Sequence, residues 1–258
     1  MNIDEFVQKV RRAETPFYAR LNQYGKRALM MEAPYIPGWH DFLYRERQFR
    51  MEAWRNFWRV LYYQPMFRGR CDACGTKLHI YHTGQGIPFL DGNVSMTIGA
   101  NVKIYDRSAI VGLTVADRPK LVIGNNTDLP NPISIFIGNE VSIGSNCLIV
   151  CDLIADNPGH RTDYHDRTGK RVEVEKIGRV CIRDHVWAAR NSMILGNVTV
   201  GTGAVIAAMA VVTRDVPPFC LVAGNPARIV KKMPFPSEMI EQVGEEQYRL
   251  YQEAELQK

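Results

Sequence analysis

Every sixth residue from Ile182 onward is aliphatic: Ile182, Ala188, Ile194, Val200, Ile206 and Val212. The residues four further on, Val186, Ser192, Val198, Ala204, Ala210 and Val216, are mostly small. Related hexads stand upstream at Ile98-Gly99, Ile123-Gly124, Ile137-Gly138 and Ile143-Gly144. A six-residue repeat is the mark of a parallel β-helix. Each hexad supplies one short strand and one corner. The aliphatic residue points into the core, and Gly, Asn or Asp takes the corner, where positive φ is tolerated. Three hexads close one triangular coil of roughly 18 residues, and stacked coils bury a continuous aliphatic column.

The phase breaks once. Ile149 to Ile182 is a step of 33 residues, not a multiple of six. The intervening 155–176 stretch is polar, carries no hexad and is expected as a loop extruded from a coil. Long loops on rigid scaffolds tend to be functional, and this one holds His160 and His165. Residues 1–70 read as helices, with a pause at Thr15-Pro16 and an aromatic stripe from Arg45 to Tyr62 flanked by arginines. Residues 71–93 read as a connector, 94–232 as the β-helix, and 233–258 as a terminal helix.

The charge is uneven. Residues 1–70 carry 13 Lys/Arg and 7 Asp/Glu, the remainder 19 and 20. A basic helix rich in Trp and Phe can lie in a lipid interface, so residues 1–66 are a candidate peripheral membrane contact; the plainer reading is packing on a neighbouring element. No run approaches the roughly 18 apolar residues of a spanning helix. The stretch MNIDEFVQKVRRAE has charges where a signal peptide has its apolar core. The expectation is a cytoplasmic protein, at most at the inner face of the membrane, with its six cysteines reduced and no nucleic-acid partner.

Residues 186–232, VWAARNSMILGNVTVGTGAVIAAMAVVTRDVPPFCLVAGNPARIVKK, resemble the hexapeptide-repeat acetyltransferases, most of all the galactoside, maltose and surface-polysaccharide O-acetyltransferases. The resemblance covers about 94–232 and rests most firmly on VVTRDVPP and GNPAR. It implies a mainly β fold, a left-handed parallel β-helix with helical appendages, although parallel crossovers are otherwise right-handed. It implies a homotrimeric acetyl-CoA-dependent O-acetyltransferase acting on a sugar hydroxyl in surface polysaccharide or lipopolysaccharide biosynthesis. His160 becomes the general base, because a gapless count from Val141-Ser-Ile-Gly-Ser-Asn146 lands on it. An imidazole titrates near working pH and suits that task; His165 is the competitor. His185 stands at a corner usually taken by Asn and reads as structural. Asn131 aligns, with a one-residue gap, to the acceptor-binding Asn. Trp187, Arg190 and Ala208 fall along the acetyl-CoA groove between subunits, followed by Thr213 and Arg214. Arg228 and Lys231 come near the phosphates. The basic cluster Arg214, Arg228, Lys231 and Lys232 fits a strongly anionic nucleotide. Arg190 itself departs from the pattern, which has a small residue there.

Two other readings stand beside this one. The γ-type carbonic anhydrases share the fold and bind zinc through histidines, two of them five apart, as His160 and His165 are. A third ligand is required, and no histidine lies between Gly84 and Gly159. A non-catalytic β-helix scaffold is the other, since fold does not fix function. Separately, Cys71-x-x-Cys74 with His79 and His82 has the residue types of a structural zinc site, though the four-residue gap is short.

Overall fold

The computed structural model describes residues 2–113, 116–157 and 178–255. Residues 1–51 and 52–258 form two separate compact units. The second is a left-handed parallel β-helix built from three sheets. The first sheet stacks β1 (Ala73–Cys74), β4 (Ser95–Ile98), β7 (Lys120–Ile123), β10 (Glu140–Ile143), β13 (Arg179–Ile182) and β16 (Val198–Val200). The second stacks β2 (His79–Tyr81), β5 (Lys103–Tyr105), β8 (Asp128–Leu129), β11 (Leu148–Ile149), β14 (Trp187–Ala188), β17 (Val205–Ile206), β19 (Cys220–Ala223) and β20 (Arg228–Lys232). The third stacks β3 (Phe89–Asp91), β6 (Ala109–Gly112), β9 (Ser134–Ile137), β12 (Leu153–Ala155), β15 (Met193–Leu195) and β18 (Val211–Val212). Every pairing is parallel except the final β19–β20 pair.

The hexad determines which side chains enter the core. Ile182, Ala188, Ile194, Val200, Ile206 and Val212 are all buried, as are Val186, Ser192, Val198, Ala204, Ala210 and Val216. Large and small residues thus alternate around the triangle and fill it. Each buried Ile or Val contributes about 1.5–3 kcal/mol relative to exposure.

The corners explain the polar hexad positions. Asn101, Asn126, Asn146 and His185 stack in one column at φ of +55°, +54°, +58° and +59°. Asn pays the least for this left-handed conformation among residues with a side chain. Here it also bonds along the stack: Asn101 Nδ2 donates to Asn126 Oδ1 and Asn126 Nδ2 to Asn146 Oδ1, both at 3.1 Å. The glycine two positions before each Asn is required by close approach. A Cβ on Gly124 would lie 2.6 Å from the backbone of Gly144 in the next coil.

One boundary differs from the sequence reading. Residues 71–93 are not a connector: β1, β2 and β3 make them the first coil, paired with β4, β5 and β6. The coil escapes the period because its strands are joined by a loop, 82–87, wound around the buried Asp106. The Asp106 carboxylate accepts from the backbone N–H of Thr83, Gly84, Gln85 and Gly86 and from the Thr83 hydroxyl. His82 Nδ1 lies 3.1 Å from it.

The helices precede and follow. In the first unit, α1 (Ile3–Arg12) and α2 (Pro16–Leu29) meet through Phe6 and Tyr18, ring centroids 5.9 Å apart. Thr15 caps α2 by accepting from the Tyr18 N–H, and Pro16 takes the first helical position. Helix α3 (Trp39–Trp58) runs into a π-helical turn, Arg59–Tyr63, and then α4 (Gln64–Arg68), whose Phe67 is fully buried in the β-helix core. The expected terminal helix is broken at Gly244, φ +87°, into α5 (Ile240–Val243) and α6 (Glu245–Glu253) after a 3₁₀ turn. An aromatic cluster docks it: the Phe235 ring lies 4.5 Å from Phe219 and 5.1 Å from both Tyr248 and Tyr251. Among the described residues no helix is long and apolar enough to cross a membrane.

Candidate functional site

The turns joining the second sheet to the third line one edge of the β-helix. Asn131 lies in the turn between β8 and β9, Arg190 in the turn between β14 and β15, and Ala208 in the turn between β17 and β18. One intervening coil, with its turn at 150–152, separates Asn131 from Arg190. Stacked strands are about 4.8 Å apart, so those two turns are about 10 Å apart. The long Arg190 side chain bridges that gap. With the Asn131 amide oriented so that both its ends are satisfied, Arg190 Nε and Nη2 each donate to Asn131 Oδ1 at 3.2 Å, and Asn131 Nδ2 donates to the Pro130 carbonyl. Asn131 is half-buried and Arg190 exposed. Above them, the Met209 N–H donates to the Arg190 carbonyl at 3.2 Å. That bond stacks the exposed Ala208–Met209 turn directly on the Arg190 turn.

Trp187 stands on the outer face of the second sheet. Its register neighbours are Leu148 on one side and Val205 on the other, followed by Leu221 and then Lys231. The row is an apolar strip, half exposed at Trp187, with an ammonium at its end. A strip of this kind can hold a thin, uncharged arm.

The basic residues divide. Arg214 and Arg228 line one shallow cleft at the last coil, with Asp215 and Ala227. Thr213 is exposed beside it, in the turn after β18. Lys231 instead lies on the second-sheet row below Leu221. Lys232 is committed elsewhere: its Nζ donates to the carbonyls of Gln252 and Ala254 at 3.2 and 3.1 Å and sits 4.6 Å over the Tyr251 ring. It closes the C-terminal end of α6, a favourable place for a cation. The fourfold basic cluster expected from sequence is therefore a pair of arginines, one lysine apart from them and one structural lysine.

His160 and His165 lie outside the described residues, and Asp156, four positions before His160, is within them. Asp156, buried, accepts from the backbone N–H of Gly138, Asn139 and Glu140 at 2.7, 2.7 and 2.9 Å and from Asn157 Nδ2 at 2.6 Å. The chain is thus fixed at Asp156 by charge-assisted bonds. The turn that clamps Asp156 was not visible in the sequence.

His185 is a corner residue: it continues the Asn column and its N–H donates to the Ser145 carbonyl at 2.9 Å. The four residues of the zinc reading also have other partners. His82 pairs with Asp106, and the His79 ring lies 5.2 Å from that of Tyr81. The Cys71 thiol donates to the Phe67 carbonyl and the Cys74 thiol to Gly75. Burial, with the Cys74 thiol alongside, pushes the Cys71 thiol up to about 12. Among the described residues no three His, Cys, Asp or Glu side chains come together to hold a metal.

No family model matches the chain. It is 37% identical over 135 residues to the polysialic acid O-acetyltransferase of Escherichia coli O1:K1 / APEC, an alignment covering 51% of this chain and 43% of that protein. It is 32% identical over 110 residues to a chloramphenicol acetyltransferase of Klebsiella aerogenes, covering 38% of this chain and 51% of that one. The chain spans about half the length of the curated relatives it matches. Among solved structures, AntD, an N-acyltransferase from Bacillus cereus in complex with dTDP and 3-hydroxybutyryl-CoA, superposes with a TM-score of 0.51 at 18% identity, covering 74% of this chain and 96% of that one. That likeness is one of fold.

Proposed function

We propose that the protein transfers an acetyl group from acetyl-CoA to a hydroxyl of a carbohydrate acceptor, in the assembly of a surface polysaccharide or lipopolysaccharide. The observation that carries this reading is the 37% identity over 135 residues to an enzyme that acetylates a polysaccharide. The edge occupied by Asn131, Arg190 and Ala208 agrees with it: polar groups converge there beside the apolar Trp187 strip. In this reading the pantetheine arm lies along Trp187 and Ala208, and the nucleotide phosphates meet Arg214 and Arg228, with Lys231 nearby. Thr213 borders the same end. Asn131 and Arg190 address the acceptor.

His160 takes the hydroxyl proton as the acceptor oxygen attacks the thioester carbonyl. A C–O bond forms, the C–S bond breaks, and the imidazolium returns its proton to the departing CoA thiolate. Asp156, four residues before the histidine, is held by the 138–140 turn, which supports a positioning role for it.

The active assembly is a homotrimer. Each β-helix offers flat faces, and closed cyclic symmetry is the usual solution for self-association. The outer face of the third sheet is largely apolar, with Leu153, Met193 and Val211 in one register row and Phe136 and Leu195 in the next, which suits such an interface. The enzyme works in the cytoplasm, with residues 1–66 touching the inner face of the membrane.

Release of CoA from acetyl-CoA, measured against a panel of sugars, amino sugars and lipid-linked oligosaccharides, tests the reading. Acceptor-dependent release with an O-acetylated product is expected. No release with any acceptor would leave a scaffold, and transfer to nitrogen alone would overturn the hydroxyl assignment.

A further inference from the structure

The end of α3 and the π-helical turn carry an aromatic stack that packs on itself and not on the core. Trp54 and Phe57 are stacked at 6.1 Å, Trp58 meets both edge-on at 5.5 Å, Tyr62 meets Trp58 at 6.3 Å, and Tyr63 follows at 5.2 Å. Trp54 is 58% exposed, Phe57 51%, Val60 53%, Leu61 63% and Tyr62 52%. Exposed aromatic and aliphatic side chains gathered on one short segment in this way point to a binding surface.

The patch is held rigidly. Tyr63 stacks on His82 at 4.8 Å and lies so close to Gly86 that a Cβ there would enter its ring. Arg59 bonds both Asn56 and Gln64, and Gln64 in turn accepts from the Ile80 N–H of the first coil. Phe67 anchors the following turn in the core. Helix end and β-helix therefore move together, and the aromatic side chains are presented outward.

We infer that this surface docks on the interface of an anionic lipid bilayer. The inference deepens the peripheral contact proposed above for residues 1–66, and it does not depend on acetyl transfer. Three features select this occupant. Trp and Tyr rings settle at the headgroup level, where one end is apolar and the other wet. Val60 and Leu61 add apolar area that can sink below it, as in a helix lying in the interface plane. The charge is complementary: the segment that carries the patch, residues 52–70, holds Arg55, Arg59, Arg68 and Arg70 against Glu52 alone, and basic residues near an anionic surface each strengthen binding. A second copy using the same face would set one basic surface against another.

Co-sedimentation of the full chain with vesicles tests this. Binding is expected with phosphatidylcholine–phosphatidylglycerol vesicles and not with phosphatidylcholine alone, and it should weaken as salt shortens the screening length. Trp54→Ser with Phe57→Ser should reduce binding at least about tenfold, and Arg55→Glu about tenfold, with thermal melts by circular dichroism confirming that each variant is folded. Absence of binding by the native chain, or a double aromatic variant that binds as well as it does, would overturn the inference. So would a native chain that ignores vesicles while the aromatic variant loses its oligomeric state in sedimentation equilibrium, which would make the patch a contact between copies. CoA release by the native chain with a soluble acceptor is read without vesicles, so this inference and the acetyl-transfer reading fail separately.

Discussion

Arg190 and Asn131, 59 residues apart in the chain, share two hydrogen bonds across an intervening coil. The guanidinium thereby sets a fixed positive charge against the Asn131 amide. It uses a planar donor edge that lysine could not reproduce.

If the pair addresses the acceptor as one unit, Arg190→Ala and Asn131→Ala should each raise the acceptor KM, by about tenfold, with the KM for acetyl-CoA little changed. The double variant should lose less than the two losses combined, because the partners share one network. Steady-state kinetics on the four proteins of the cycle would check this. Fully additive losses would show two independent residues.

His160→Ala is expected to lower turnover by about 10²–10⁴-fold, the range of a general base, with the fold retained. His165→Ala should matter far less, and the reverse ranking would move the role to His165. If Asp156 positions His160, Asp156→Ala should lower kcat, and it should also lower Tm, since three backbone N–H groups lose a buried acceptor. An Asp156→Ala enzyme with native kcat would remove that residue from any positioning role.

The division of the basic residues makes a separable prediction. Arg214→Ala and Arg228→Ala, in one cleft, should raise the KM for acetyl-CoA and leave that for acetyl-pantetheine, which lacks the nucleotide, unchanged. Lys231→Ala, on the Trp187 row, should have the smaller effect. Lys232→Ala should show in thermal stability, through the end of α6, and not in either KM.

Asp106 gives a pH-dependent test. Burial alone would push its carboxyl up, but the Thr83 hydroxyl and the N–H groups of Thr83, Gly86 and Gly84 outweigh it and hold it below the ordinary 3.8. A carboxyl depressed in the folded state contributes stability that is complete above its unfolded pKa and is lost as pH falls through the folded value. Asp106→Asn should therefore destabilise by about 3 kcal/mol at neutral pH. It should also show a shallower loss of Tm than the native chain below about pH 4, as followed by circular dichroism melts. Parallel acid profiles would show that Asp106 contributes nothing there.

The hexad made the β-helix legible because inward burial is a one-dimensional property. Whether Ile194 faces the core follows from its phase alone, and the same phase assigned His185 to a corner. Contacts between coils are different in kind. They depend on how many residues each turn and insertion holds, and on which side chains are long enough to cross a coil. No period in the sequence states that Arg190 reaches Asn131. None states that Asp156 closes on the 138–140 turn, or that Lys232 turns to α6 while its neighbour Lys231 joins the Trp187 row. Residues 71–93 lost their identity as a coil for the same reason: a loop held by a single buried carboxylate replaced the repeat, and only the folded chain brings Asp106 to the donors that make it one.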